Sequence, residues 1–205
     1  MDTFSRRRHC LALLALAALA AAPRARAQVV ARSIGGVSFG ARAEVGGQQL
    51  LLNGVGMRAS SKMNIKGFAA ALYLAQPAHS GEQALQSPGA KRLRMHMMLD
   101  VPTEVFVYAI HKYVRRNIPE PQQPGLNERM GTLDARLRAI GEVYDGDVID
   151  LDFVPDSGLL LTINGRPRSS PIPGADFYGA VMQVFLGEHP VDARMKSGLL
   201  GASAG

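Results

Sequence analysis

Hydrophobic and polar positions alternate in short runs through the first half of the chain and then change to a helical period. Residues 36–45 alternate loosely and end at Gly46-Gly47, a hairpin signal, after which residues 48–58 read as a strand. Residues 62–75 read as another, closing in Ala-Ala-Ala-Leu-Tyr-Leu. Residues 91–100 have a clean period of two. Leu93, Met95, Met97 and Leu99 share one face, and Arg92, Arg94, His96, Met98 and Asp100 the other. Phe106, Ile110, Tyr113 and Val114 then fall at helical spacing behind Pro102-Thr103-Glu104, a helix start. Pro119, Pro121 and Pro124 interrupt, and Met130, Leu133, Leu137 and Ile140 mark a second amphipathic helix closed by Gly141. Residues 147–154 and 158–164 predict a hairpin around Pro155-Asp156-Ser157-Gly158, with a turn at Asn164-Gly165. Phe177, Val181 and Phe185 define a third helix ending at Gly187, and residues 190–199 add a short fourth. Strands come in runs and so do helices. The pattern predicts an α+β fold, a large antiparallel sheet with a layer of helices on one face.

The N-terminus follows a different rule. Arg6, Arg7 and Arg8 precede an apolar run from Cys10 to Ala22, and Ala25-Arg26-Ala27 supplies a small-x-small site. These are the three parts of a cleavable secretory signal, so residues 1–27 are expected to be removed and residues 28–205 to form one domain in the periplasm or outside the cell. The run is too short to span a bilayer, which takes about 20 residues, so no stable span is expected after cleavage. Removal also changes the charge balance. Five of the 23 Lys and Arg and one of the 17 Asp and Glu leave with the leader, so 18 face 16 in the remainder, a net of +2. A nucleic-acid partner would need a clustered basic face, and Lys91-Arg92-Leu93-Arg94 and Arg115-Arg116 do not make one. Cys10, the only cysteine, lies in the leader, so the remainder has no disulfide and no thiol chemistry.

Two constellations contain metal-ligand residue types without the arrangement a metal needs. Met95-His96-Met97-Met98 has the ligand types of a copper site. The alternation, however, puts Met95 and Met97 on the apolar face and His96 on the opposite one. Asp145, Asp147, Asp150, Asp152 and Asp156 lack the spacing and terminal glutamate of a calcium loop, and Asp150 and Asp152 read as the solvent face of a strand. No metal and no cofactor is expected. Gly54-Val55-Gly56 lies within a strand and is not followed by the rest of a dinucleotide fingerprint.

Two segments carry a resemblance. The first is Leu52-Asn-Gly-Val-Gly-Met-Arg58 with Ile65-Lys66-Gly-Phe-Ala-Ala-Ala-Leu-Tyr73-Leu74. The second is Asp152-Phe-Val-Pro-Asp-Ser-Gly158, Ile163-Asn-Gly165, Asp176-Phe177, Phe185-Leu-Gly187 and Leu199-Leu-Gly201. Taken in order over residues 36–201, the chain resembles the chalcone isomerase-like family, in particular its exported bacterial members. The resemblance implies an open-faced β-sandwich. It also implies one of two activities, since plant members close a chalcone to a flavanone and related members bind fatty acids without known catalysis.

The resemblance places Arg58 at the family's arginine, where a guanidinium suits a carboxylate or phenolate bidentately. In strand 48–58, Leu50, Leu52, Gly54, Gly56 and Arg58 are expected on one face, with the glycines leaving room beside the arginine. Phe68 is the departure. It stands where plant enzymes carry Thr and fatty-acid-binding members carry Tyr, and it offers neither donor nor acceptor. Plant enzymes also place a Tyr and an Asn on the first long helix, where this chain offers Tyr108, His111, Tyr113 and Asn117. Tyr108 and His111 are candidates for the cleft, Lys66 for positive charge beside it, and Asn117 reads as a helix C-terminal residue. The expected function is a non-catalytic cell-envelope protein that binds an acidic apolar small molecule, a fatty acid or a phenolic. The alternative is an intramolecular lyase or isomerase in which Arg58 is the catalytic candidate.

Overall fold

The computed structural model describes residues 30–60 and 65–202; the expected leader, residues 1–27, lies outside the described residues. The chain opens with strands β1 (Val30–Ile34), β2 (Val37–Gly40), β3 (Arg42–Val45), β4 (Gln48–Ser60) and β5 (Ile65–Leu74). Helix α1 (Gly81–Gln86), β6 (Lys91–Met97) and β7 (Val101–Pro102) lead to α2 (Glu104–Asn117). Two short 3-10 turns take up the Pro-rich stretch before α3 (Asn127–Ile140). Strands β8 (Glu142–Val143), β9 (Val148–Val154), β10 (Gly158–Ile163) and β11 (Arg166–Pro167) precede α4 (Ala175–Leu186) and α5 (Ala193–Leu199). β1 and α1 are absent from the sequence pattern. α1 has one turn and a half, too short for a period to show, and is held by its N-cap Ser80, which accepts from Gln83 N at 3.1 Å.

Seven strands form one antiparallel sheet in the order β11-β10-β9-β6-β5-β4-β3. Its two faces bury two cores. On one face Ala70, Leu72, Leu93, Met95, Met97, Ile149, Leu151, Leu161 and Ile163 pack under α2, α3, α4 and α5. On the other, Ala69, Ala71, Tyr73 and Val55 pack under the β1–β2 hairpin through Phe39, Val37 and Ile34. The three small residues Ala69, Ala70 and Ala71, all fully buried, let layers approach the sheet closely from both sides. Burial alternates without a break along β6, as its period of two requires.

Two sequence expectations are corrected here. Leu50 and Leu52 do not share a face with Gly54, Gly56 and Arg58, because the register slips between Leu52 and Gly54. Asn53 is the extra residue of this bulge. Its side chain donates to Ala78 O and Leu199 O at 2.9 and 2.8 Å and accepts from Ala78 N at 2.7 Å, which pins the strand to the end of α5. Nor are Asp150 and Asp152 a solvent face. Each is 2% exposed. They stand opposite Arg94 and Arg92 across the β6–β9 ladder and take bidentate bonds from them at 2.6–2.8 Å. Two arginines on β6 and two aspartates on β9, each pair two residues apart, neutralise one another in register. The Asp150 hydrogen bonds raise the Arg94 guanidinium's pKa further above its usual value, against the effect of burial.

Candidate functional site

Between the sheet and the helical layer lies an internal cavity of about 70 Å³. Its floor is Phe68 of β5, Met95 of β6, Ile149 and Leu151 of β9, and Leu161 and Ile163 of β10. Its roof is Phe106, Ala109 and Ile110 of α2, Leu133, Leu137 and Ile140 of α3, and Val181, Val184 and Phe185 of α4, with Thr103, Val143 and Val191 completing the lining. The apolar periodicities that build the elements therefore also build this wall. Thr103 brings the one hydroxyl, and it donates to Gly141 O at 3.1 Å.

Arg58 does not line the cavity but stands next to a residue that does. It is the cross-strand partner of Phe68, so the two share the helix-side face of the sheet. Gly67 is the extra residue of a second register slip here, with its open side against the Arg58 stem. Arg58 donates through Nη1 to Oδ2 of Asp192 at 3.4 Å, and the two side chains are 43% and 15% exposed. Asp192 caps α5, its other oxygen accepting from Met195 N at 3.0 Å, and it follows Val191 of the cavity lining. The aspartate thus occupies one of the five donors of the guanidinium in a single long contact.

The space expected beside Arg58 is not there. A Cβ on Gly54 would collide with Gly198 O and Leu199 O, and one on Gly56 with Met195 O. The glycines let α5 lie directly on β4, and this placement brings Asp192 to Arg58. Lys66 pairs with Ala59 beyond the slip at Gly67, which puts it on the sheet face opposite Phe68, and it is exposed. Tyr108 and His111 do not reach the cavity. Tyr108 is 66% exposed, with Lys112 Nζ 5.8 Å over its ring. His111 Nε2 lies 2.7 Å from Asp134 Oδ2 and ties α2 to α3. The inward positions of α2 are Phe106, Ala109 and Ile110, and Tyr108 and His111 fall outside that arc at 100° per residue. Asn117 ends α2, where its amide donates to Tyr113 O and His189 O and accepts from His189 N. Asp192 was not foreseen, because nothing in a sequence shows which acid a folded helix brings to a given arginine. Among the described residues no group of His, Cys, Asp and Glu is placed to hold a metal ion.

Fold and cavity together define a class: α+β proteins in which an antiparallel sheet and a helical layer enclose an apolar chamber with an arginine next to its lining. The family model for chalcone isomerase-like proteins matches residues 31–201, and the chain belongs to that family. Among solved structures, the chain is similar to the crystal structure of an Arabidopsis thaliana fatty-acid binding protein, with a TM-score of 0.62 at 15% identity over 80% of this chain and 92% of that one. No curated protein sequence matches. Among the described residues, no helix is long and apolar enough to cross a membrane.

Proposed function

We propose that the protein is a non-catalytic binder of an acidic apolar molecule with a hydrocarbon chain, a fatty acid in the first place. The carboxylate sits at Arg58 and the chain lies in the sheet–helix cavity. The observation that carries the reading is the cavity wall: apolar apart from the Thr103 hydroxyl, which is already bonded to Gly141 O, with a half-exposed arginine as the cross-strand partner of the lining residue Phe68. A chain needs apolar surface and its head needs one charge, and both are present. A bound carboxylate replaces Asp192 on the guanidinium and engages it bidentately, which the single 3.4 Å contact does not. At about 70 Å³ the cavity is contracted, since ligand pockets run to several hundred Å³, so binding goes with outward movement of wall side chains. The name of the Arabidopsis structure, a fatty-acid binding protein, agrees with this reading. A lyase would need a donor aimed at a carbonyl oxygen, and the neighbour of Arg58 on the wall is Phe68. The leader-like residues 1–27 support a place in the cell envelope or outside the cell.

The test is native mass spectrometry of the purified protein with palmitate and with hexadecanol, its uncharged analogue. Palmitate is expected to bind, and Arg58→Ala to weaken it by roughly ten- to a hundredfold, the worth of a charge-assisted hydrogen bond. Hexadecanol should bind both forms alike. A wild-type protein that takes up neither refutes the reading.

A further inference from the structure

The cavity ends, on the side away from Arg58, against a second space. A surface groove of about 600 Å³ runs between α3 and the β8 and β10 strands, with Ala135 and Ala139 on one side, Tyr144 on the other, and Arg136 and Arg168 along it. Two of its lining residues, Ile140 and Ile163, also line the internal cavity. Only these two aliphatic side chains are common to both walls. Each stands at the last position of its element. Ile140 ends α3 before Gly141, at φ 80°, and Ile163 ends β10 before the turn at Asn164 and Gly165, at φ 53° and 72°. Ile163 is buried and Ile140 half-buried, so a passage between the two spaces opens only when both side chains change rotamer.

Phe68 is on β5 and Ile163 on β10, with β6 and β9 between them. Three strand spacings make about 14 Å. An extended alkyl chain advances ~1.25 Å per carbon, from the ordinary C–C bond length and angle, so about eleven carbons reach from one end to the other. A fatty acid anchored at Arg58 enters tail first, because a carboxylate drawn through an apolar chamber would lose its hydration without compensation. The tail of a longer chain then meets Ile140 and Ile163.

We propose that the groove outside Ile140 and Ile163 is a second subsite, which takes the distal part of acids longer than about a dozen carbons once the two isoleucines part. The proposal rests on the binding reading above and deepens it, naming long single-chain acids as the preferred class. The chain leaves the chamber over the methyl groups of Ala135 and Ala139 and the ring of Tyr144, which is 55% exposed. Four charged residues, Arg136, Glu142, Asp147 and Arg168, also line it, and two of them are held by the surrounding fold. Arg136 donates to Ser170 O at 2.7 Å, and Asp147 accepts from Tyr144 N and the Asn164 amide at 2.9 and 2.8 Å.

The experiment is a chain-length series of saturated fatty acids, from octanoate to stearate, measured by calorimetry on the wild type, Ala139→Trp and Glu128→Trp. Ala139 and Glu128 are both exposed on α3, but only Ala139 lines the groove. Trp at 139 fills the groove without entering the core. Expected is unchanged affinity for the short acids and a loss of about tenfold or more for the longest, with Glu128→Trp behaving as wild type throughout. Equal affinity of Ala139→Trp and wild type at every length overturns the subsite and leaves the binding reading standing. An equal loss at every length also overturns it, since the carboxylate would then lie in the groove beside Arg136 and Arg168. A wild type that binds no acid of any length overturns both.

Discussion

Filling the cavity tests whether it is the binding site. Ala109 faces it from α2. Leucine at this position adds three carbons to a space of about 70 Å³ whose wall is apolar apart from Thr103. At about 24 cal/mol per Å³, removing that void is worth up to ~1.7 kcal/mol. Three buried methylenes at ~0.8 kcal/mol each give a similar ceiling of ~2.4 kcal/mol. Strain from a rotamer that must fit between Ile110 and Leu133 subtracts part of this, leaving a net gain of about 1 kcal/mol. In a domain of this size that gain raises the Tm by about 2–4 °C. The same side chain occupies the path of the ligand, so the affinity for palmitate should fall by at least roughly tenfold. Urea unfolding and scanning calorimetry read the first effect, and displacement of fluorescent parinaric acid reads the second. A more stable Ala109→Leu protein that still binds at wild-type affinity would show that the ligand lies elsewhere. A protein destabilised by more than 1 kcal/mol would show that the void cannot accept side-chain atoms from α2 and would undo the volume argument.

Two further outcomes follow from the packing and the charges. Gly56→Ala should lower stability by about 3 kcal/mol or more in urea unfolding, because the added Cβ meets the Met195 carbonyl, a backbone atom that moves only with the whole of α5. The same displacement carries Asp192 away from Arg58, so any remaining folded protein should bind fatty acid differently from the wild type. The second concerns acid. Bidentate bonds from Arg129, both at 2.7 Å, hold the Asp176 carboxyl below the ordinary carboxylate pKa of 3.8 and join α3 to α4. A depressed folded-state pKa contributes stability above the unfolded value and loses it as the pH falls through the folded one. Asp176→Asn should therefore flatten the decline in stability below about pH 4, read as Tm against pH. An unchanged acid profile would mean that the pair contributes nothing in solution. Asp147, depressed by the Tyr144 N–H and the Asn164 amide, preserves some acid dependence in the variant.

Much of the fold was legible because it is written in local periods. The alternation of Leu93, Met95 and Met97 and the helical spacing of Met130, Leu133 and Leu137 each report one face of one element, and those faces are the ones buried. The hairpin glycines at 46–47 and the stop at Gly141 have the positive φ angles that their positions demand. What escaped was relational. The bulge at Asn53 reverses strand parity, and a bulge leaves no periodic trace in one strand because it exists only relative to its partner. Asp150 and Asp152 looked solvated because charged residues on alternate strand positions usually are. The complementary pair Arg92 and Arg94, at the same interval on β6, was the available sign that the two strands lie side by side. At the site, Phe68 and Arg58 were legible as residues, and their adjacency follows once β4 and β5 pair. Tyr108 and His111 were drawn in by their chemistry, and the phase of α2 turns them outward.

The contrast among the arginines explains why Arg58 is the one to consider for a ligand. Arg92, Arg94 and Arg129 each engage a carboxylate through two bonds of 2.6–2.8 Å. For Arg92 and Arg94 the acceptor is a buried aspartate, and removing it would leave a charge in a desolvated place. These pairs have nothing to offer a third party without loss to the fold. Arg58 is held by one contact of 3.4 Å to an acid whose other oxygen is already committed to capping α5. Its side chain is 43% exposed, and Asp192, at 15%, keeps the hydrogen bond from Met195 N when the arginine turns to another acid. A carboxylate that arrives with a hydrocarbon chain brings more than Asp192 can, because its chain removes apolar surface from water beyond Phe68 and Val191. On the proposed reading, the resident aspartate sets a threshold: small hydrophilic acids would gain nothing over it, and a preference for acids with a hydrocarbon chain would follow from an ion pair held by one long contact.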